Sequence, residues 1–206
     1  MGKKRKLITI VGGIAVGKTT IGQGLLNLLP NMNFIEEDVS KNEFLEDFYK
    51  DMKKWAFHSR ISTLAMIASN YETKDNGADI ILMDRCLNEL ITFARLQFEK
   101  GNLSTREFRV YKQLYSCLVS FAPKIDGYIY CYCDSKISME RIKERNREFE
   151  QGIDISYIDK LNKEYGDWIE SLQQEKIYKV NTGENVDLVR IKDFILNITT
   201  LQLFEK

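Results

Sequence analysis

Residues 12–20 read Gly12-Gly13-Ile14-Ala15-Val16-Gly17-Lys18-Thr19-Thr20. The stretch fits the phosphate-loop pattern G-x-x-x-x-G-K-[ST], with Gly12, Gly17, Lys18 and Thr19 at the fixed places. Its surroundings fit as well. Leu7 to Val11 form a β-branched apolar run before it, and Ile21, Leu25, Leu26 and Leu29 follow at helical spacing. Strand, glycine loop and helix start are what the motif needs. The glycines let backbone N–H groups turn toward phosphate oxygens, and the helix N-terminus adds partial positive charge. Gly12, Gly13, Ala15, Gly17, Lys18, Thr19 and Thr20 are therefore expected to cradle a nucleoside triphosphate. Lys18 would reach the β- and γ-phosphates, and the Thr19 hydroxyl would sit on Mg2+. The plain alternative, a glycine turn with no ligand, has no use for Lys and Thr at the helix start.

Working outward, the 206 residues suit one domain, 1–206. With 30 basic and 30 acidic residues the net charge is zero, so no global field favours polymeric nucleic acid or an anionic membrane. No apolar run reaches membrane-spanning length. The basic start Met1-Gly2-Lys3-Lys4-Arg5-Lys6 reads as a solubilising lead-in, since the phosphate loop stands where a signal cleavage site would be. Gly2 lacks the Ser or Thr at position 6 of a myristoylation signal. Cys86, Cys117, Cys131 and Cys133 form no C-x-x-C pair and read as reduced core thiols of a cytoplasmic protein.

Apolar runs predict strands over Leu7–Val11, Asn33–Ile35, Asp79–Met83, Gly127–Cys133 and Ile177–Val180. Helical patterns cover Thr19–Leu29, Asn42–Ser69 with a break near Met52, Leu87–Lys100, Thr105–Phe121, Ser135–Arg145, Ile155–Leu172 and Val186–Leu201. The alternation implies an α/β fold: a five-stranded parallel sheet flanked by helices, with ligands beyond the carboxyl ends of the strands.

Three clusters fall at those strand ends. Ile80-Ile81-Leu82-Met83 runs into Asp84-Arg85. A carboxylate there can help hold Mg2+, and the adjacent Arg can face a reacting phosphoryl group, or the two can form a strand-end salt bridge. Glu36-Glu37-Asp38 ends the second strand, where a carboxylate can take the proton of an acceptor alcohol or can be solvated loop. Arg141, Arg145 and Arg147 mark a segment able to close over a triphosphate, or else an exposed charged helix. Tyr49, Trp55, Phe57, His58 and Phe93 are either core aromatics or a stacking surface for a base. Arg60 fits poorly in a core and can pair with O6 and N7 of guanine.

Taken together these residues resemble the deoxynucleoside kinase family, over nearly the whole chain. The likeness lies in Asn42 to Asp51 with Trp55-Ala56-Phe57-His58, in Asp84-Arg85-Cys86, and in Arg141 to Glu150 with the tail Tyr157-Ile158-Asp159-Lys160-Leu161. It implies a P-loop kinase fold with an Arg-rich lid at about 141–154. By position it also implies that Glu37 is general base for the sugar 5′-hydroxyl, with Lys18 and Arg85 as the other catalytic residues. Asp84 supports Mg2+ beside Thr19, Tyr49 and Glu150 bind the 3′-hydroxyl, and Phe93 stacks on the base. Trp55 and Arg60 are placed with the substrate, Arg145 and Arg147 on the phosphates, and Arg141 toward the donor nucleotide. The chain departs from the family at Val11, Gly13, Asp38 and Arg60. The segment from Asp84 to Leu90 is one residue short, and Glu89 is the nearest acid to a second base-reading position.

The expected activity is transfer of the γ-phosphate of ATP, or another triphosphate, to the 5′-hydroxyl of a deoxynucleoside. A purine, deoxyguanosine, is favoured, and the family implies a homodimer, with Leu87–Lys100 and Thr105–Phe121 as candidate contact helices. The alternatives are a thymidylate kinase-like monophosphate kinase and a non-catalytic nucleotide-binding switch. The switch finds no guanine motif, since Asn162-Lys163 continues Glu164-Tyr165.

Overall fold

The computed structural model describes residues 5–72 and 77–200. The start of the basic lead-in and Leu201, expected as the last helical residue, lie outside them. Five strands form one sheet in the order β2-β3-β1-β4-β5, every pair parallel. They are β1 (Lys6–Val11), β2 (Met32–Ile35), β3 (Ile80–Asp84), β4 (Gly127–Tyr132) and β5 (Ile177–Asn181). The interior strand β3 is buried along its whole length, whereas the edge strands β2 and β5 are half-buried. Helices covering both faces cause that pattern.

Side chains alternate across the sheet. Ile8 and Ile10 of β1 join Leu82 and Ile129 on one face, packed by α1 (Lys18–Leu26) and α8 (Leu188–Thr200) through Ile21, Leu25, Ile191 and Ile195. Leu7 and Val11 face the other side, toward α4 (Leu90–Glu99) and α7 (Ile155–Ser171), where Phe93, Leu161, Tyr165 and Trp168 fill the layer. A third cluster joins α2 (Leu45–Lys50), α3 (Met52–Ser69), α4 and α5 (Thr105–Phe121) around Phe48, Leu64, Leu90 and Tyr111.

The expected break near Met52 is present, and Asp51 makes it: its carboxylate accepts from the Lys54 N–H and caps α3. The expected helix start at Asn42 is wrong. Asn42 spends its amide on Ser59 and Thr63 and its oxygen on the Phe44 N–H, so it competes with a helix and α2 begins at Leu45. The first helix ends before Leu29, because Pro30 disfavours helical backbone in the residue preceding it. The last starts at Leu188 rather than Val186, with the Asp187 carboxylate accepting from Val189 N–H. Cys86, Cys131 and Cys133 are buried free thiols, but Cys117 is exposed on α5, a departure from the expected core placement.

The chain leaves β1, forms β2 at the far edge, returns as β3 and then crosses to β4 beside β1. The strand order therefore reverses at β1, and a crevice opens beyond the carboxyl ends there. β1 ends in the phosphate loop, β3 in Asp84-Arg85, and β2 just before Glu37.

Candidate active site

The glycine loop is shaped by what its backbone must do. Gly12 has φ 145°, and a Cβ there would stand 2.2 Å from the Cys131 carbonyl oxygen. Gly17, at φ 81°, is the left-handed residue from which α1 springs. Ala15 takes φ 56° without being glycine, a strained turn of a kind that gathers at ligand sites. Lys18 is buried and folds over the loop, its Nζ donating to the Gly13 carbonyl at 2.9 Å. Burial, then the Arg85 charge, holds its pKa below the usual lysine value. The Thr19 hydroxyl donates to Asp84 Oδ2 at 2.6 Å.

Arg85 is the hub. Its backbone sits at φ 75° and its guanidinium is buried. Nε pairs with Glu37 Oε2 at 2.7 Å, and Nη1 donates to the Tyr165 hydroxyl at 2.9 Å and to the Gly12 carbonyl at 3.4 Å. Burial opposes ionisation of Glu37, but Arg85 and then Lys18 outweigh it and hold its carboxyl below the ordinary carboxylate range. Asp84 is the reverse: burial pushes its pKa up in spite of Lys18. Its Oδ1 is buried with no hydrogen-bond partner. A hydroxyl and a carboxylate oxygen left unpartnered at the mouth of a phosphate loop form a hard oxygen donor set, which fits Mg2+.

A cavity of about 750 Å³ runs from this loop past Glu37 and Arg85 to an aromatic chamber. Ala15, Gly17, Lys18, Thr19, Thr20, Glu37, Asp84 and Arg85 line the phosphate end. Gly12 and Gly13 lie behind that wall, contributing backbone instead. Tyr49, Arg60, Leu90 and Phe93 line the chamber. Arg60 is 5 % exposed and lies against the rings of Phe48 and Phe93, 5.1 Å from each centroid. It donates to the Ser59 hydroxyl at 3.1 Å, its Nε has no partner, and no carboxylate pairs with it among the described residues. Trp55, expected with the substrate, stacks on Phe44 at 5.7 Å and meets the edge of His58 at 5.1 Å, outside the cavity wall. Glu89 likewise reads no base position, because its carboxylate points back to the phosphate loop.

Arg141, Arg145, Arg147 and Glu150 all reach the cavity. Arg141 is tied to the loop wall, donating to the Thr182 carbonyl at 2.7 Å and to the Ala15 carbonyl at 3.4 Å. Arg145 and Arg147 pair with Glu150 at 2.6 and 3.5 Å. Phe149 stacks on Tyr49 at 5.8 Å, joining this segment to α2. Two supporting residues escaped the sequence reading. Tyr165 orients Arg85, and Thr182 ties Val16 to Arg141. Their only signal was a polar group at the end of a strand or on the apolar face of a helix.

A phosphate loop, a buried Arg beside two carboxylates, and an Arg-bearing segment over one shared crevice define a P-loop phosphotransferase. Comparison with known proteins narrows the class. A model of the deoxynucleoside kinase family matches residues 8–201. A deoxyadenosine/deoxycytidine kinase of Bacillus subtilis (strain 168) is 30 % identical over 198 residues, covering 95 % of this chain and 90 % of that one. The deoxyguanosine kinase of the same organism is 28 % identical over 195 residues, covering 92 % and 89 %. The solved structure of a deoxyadenosine kinase from M. mycoides with bound dCTP superposes with a TM-score of 0.82 at 26 % identity, over 93 % of this chain and 98 % of that one. The chain belongs to the deoxynucleoside kinase family, and its activity is that of a phosphotransferase acting on deoxynucleosides.

Proposed function

We propose that the protein transfers the γ-phosphate of ATP, or another nucleoside triphosphate, to the 5′-hydroxyl of a purine deoxynucleoside, with deoxyguanosine preferred, for nucleotide salvage. The observation that carries this reading is the Glu37–Arg85 pair, set at 2.7 Å between the phosphate loop and the chamber holding Arg60 and Phe93. Glu37 accepts a hydrogen bond from the 5′-hydroxyl and takes its proton. A carboxylate held this acidic is a weak base. It suffices because phosphoryl transfer is largely dissociative, so orienting the alcohol matters more than early deprotonation. Arg85 stands between Glu37 and the moving phosphoryl group, whose charge it offsets together with Lys18.

Magnesium, when bound, neutralises phosphate charge, and Thr19 with Asp84 would hold it. Arg145 and Arg147 exchange Glu150 for donor phosphates, and Arg141 stays beside the donor. Glu150 and Tyr49 bind the 3′-hydroxyl, with residues 141–154 acting as the lid. The base lies against Phe93, and Arg60 donates to O6 and N7 of guanine. An aromatic slot flanking Arg60 supports a base there rather than an acceptor phosphate.

We read residues 1–206 as one catalytic unit, and as a homodimer joined through α4 and α5. On α5 only Tyr111 is buried, while Val110, Leu114 and Phe121 form an exposed stripe. Light scattering on the purified protein checks the mass. Free thiols suit a cytoplasmic enzyme, and no helix among the described residues is long and apolar enough to cross a membrane. The test of substrate choice is kcat/KM for the four deoxynucleosides and their monophosphates with MgATP. Deoxyguanosine should lead. Preference for a monophosphate would support the thymidylate kinase-like alternative, and binding of nucleotide without turnover of any acceptor would support the switch.

A further inference from the structure

Glu89 is a carboxylate with no exposed surface, outside the cavity, that the transfer chemistry does not use directly. Part of its role is local. It stands three residues after Cys86, and its Oε1 accepts from the Cys86 N–H at 3.3 Å, closing the turn that leads into α4. A cap explains one oxygen only. The other, Oε2, accepts from the Gly12 N–H at 3.2 Å, across 77 residues of sequence.

Both anchored peptides adjoin a residue at positive φ: Gly12 itself at 145°, and Arg85 at 75° just before Cys86. Left-handed backbone at an arginine is held only when its surroundings over-determine it. The guanidinium returns the contact, since Arg85 Nη1 lies 3.7 Å from Glu89 Oε1 and donates to the Gly12 carbonyl. The Tyr165 hydroxyl accepts from Arg85 and holds the guanidinium on that side. Glu89 thus touches the start of the phosphate loop, the turn that carries Arg85, and the Arg85 head group. A turn cap that only needed an acceptor would not require a buried charge.

We propose that Glu89 is a positioning residue of the reaction, fixing Arg85 and the phosphate loop at one separation so that the arginine meets the transferring phosphoryl group. This rests on the kinase reading above. Misplacing a catalytic group by about 1 Å costs on the order of 10²-fold in rate. Glu89→Gln keeps the shape but turns one acceptor into a donor that faces an N–H.

The experiment is a double-mutant cycle of Glu89→Gln and Arg85→Met, with folding followed by thermal unfolding. In the wild-type background Glu89→Gln should lower kcat by about 10²-fold while KM for deoxyguanosine stays within about threefold. In the Arg85→Met background the same change should cost less than about threefold more, because the group it positions is gone. MgATP affinity, measured by calorimetry with no acceptor, should weaken several-fold as the Gly12 peptide loses its anchor. If the preferred acceptor proves to be another nucleoside or a monophosphate, the cycle is read on that acceptor, and the calorimetry stands without any. Should Glu89→Gln not fold, Glu89→Asp, too short to span both peptides, replaces it with the same expected pattern. A folded variant with wild-type kcat and MgATP affinity, or a kcat loss undiminished beside Arg85→Met, would overturn the proposal.

Discussion

Arg60→Met pulls stability and activity in opposite directions, and the structure sets both magnitudes. A guanidinium 5 % exposed without a carboxylate costs the free protein several kcal/mol. The rings of Phe48 and Phe93 offset about 2 kcal/mol at most between two partial contacts, and the Ser59 hydrogen bond about 1 kcal/mol. Methionine fills similar space against the same rings without a charge. Removing the penalty should stabilise the free protein by about 1–2 kcal/mol, which is about 2–8 °C in Tm for a chain of this size. The same substitution deletes the pair of donors offered to guanine, worth about 1–3 kcal/mol. That corresponds to a loss of about 5- to 150-fold in kcat/KM for deoxyguanosine. Deoxyadenosine presents a donor rather than an acceptor at position 6 and should lose little. Differential scanning calorimetry and steady-state kinetics on the two nucleosides read the two effects. A variant that melts lower than wild type and keeps deoxyguanosine turnover within about twofold would refute the account of Arg60 as a buried cation awaiting the base.

Glu37→Gln should lower kcat by about 10²–10⁴-fold with MgATP affinity nearly unchanged, and intact turnover would remove Glu37 as the base. Its pH signature in stability is also defined. The Glu37 pKa is depressed in the folded protein by Arg85 and Lys18, so its stabilising effect is complete above the ordinary carboxylate pKa and is lost as pH falls through the lower folded value. Denaturation midpoints of wild type and Glu37→Gln should therefore converge on acidification, and a gap that widens would show the sign to be wrong. Asp84→Asn should raise the Mg2+ concentration needed for half-maximal rate, because the unpartnered oxygen is replaced or its charge lost. A Mg2+ titration superposing on wild type would exclude Asp84 from the metal site.

How far the sequence could be read depended on the range of each contact. The strand, loop and helix around Gly12 to Thr20 are local: apolar β-branched residues, glycines at fixed spacing and a helix start within one stretch. Asp84-Arg85 was legible because a buried parallel strand announces its own end. Trp55 falls outside the cavity lining while Tyr49 and Phe93 fall within it, a division that helical spacing does not reveal because it groups aromatics without saying which face meets the site. Glu89 and Tyr165 reach Gly12 and Arg85 over 77 and 80 residues, a separation that only the assembled sheet and α7 close. The helix that failed to start at Asn42 failed for a tertiary reason too, since Ser59 and Thr63 on α3 claim its amide.

The central claim is that the phosphate loop, Glu37 and Arg85 serve a sugar 5′-hydroxyl. Phosphorus NMR of a mixture of the protein, deoxyguanosine, ATP and Mg2+ tests it most directly. The account predicts a 5′-monoester signal growing in step with ADP. Unchanged deoxyguanosine, beside ready conversion of its 5′-monophosphate to the diphosphate, would contradict it.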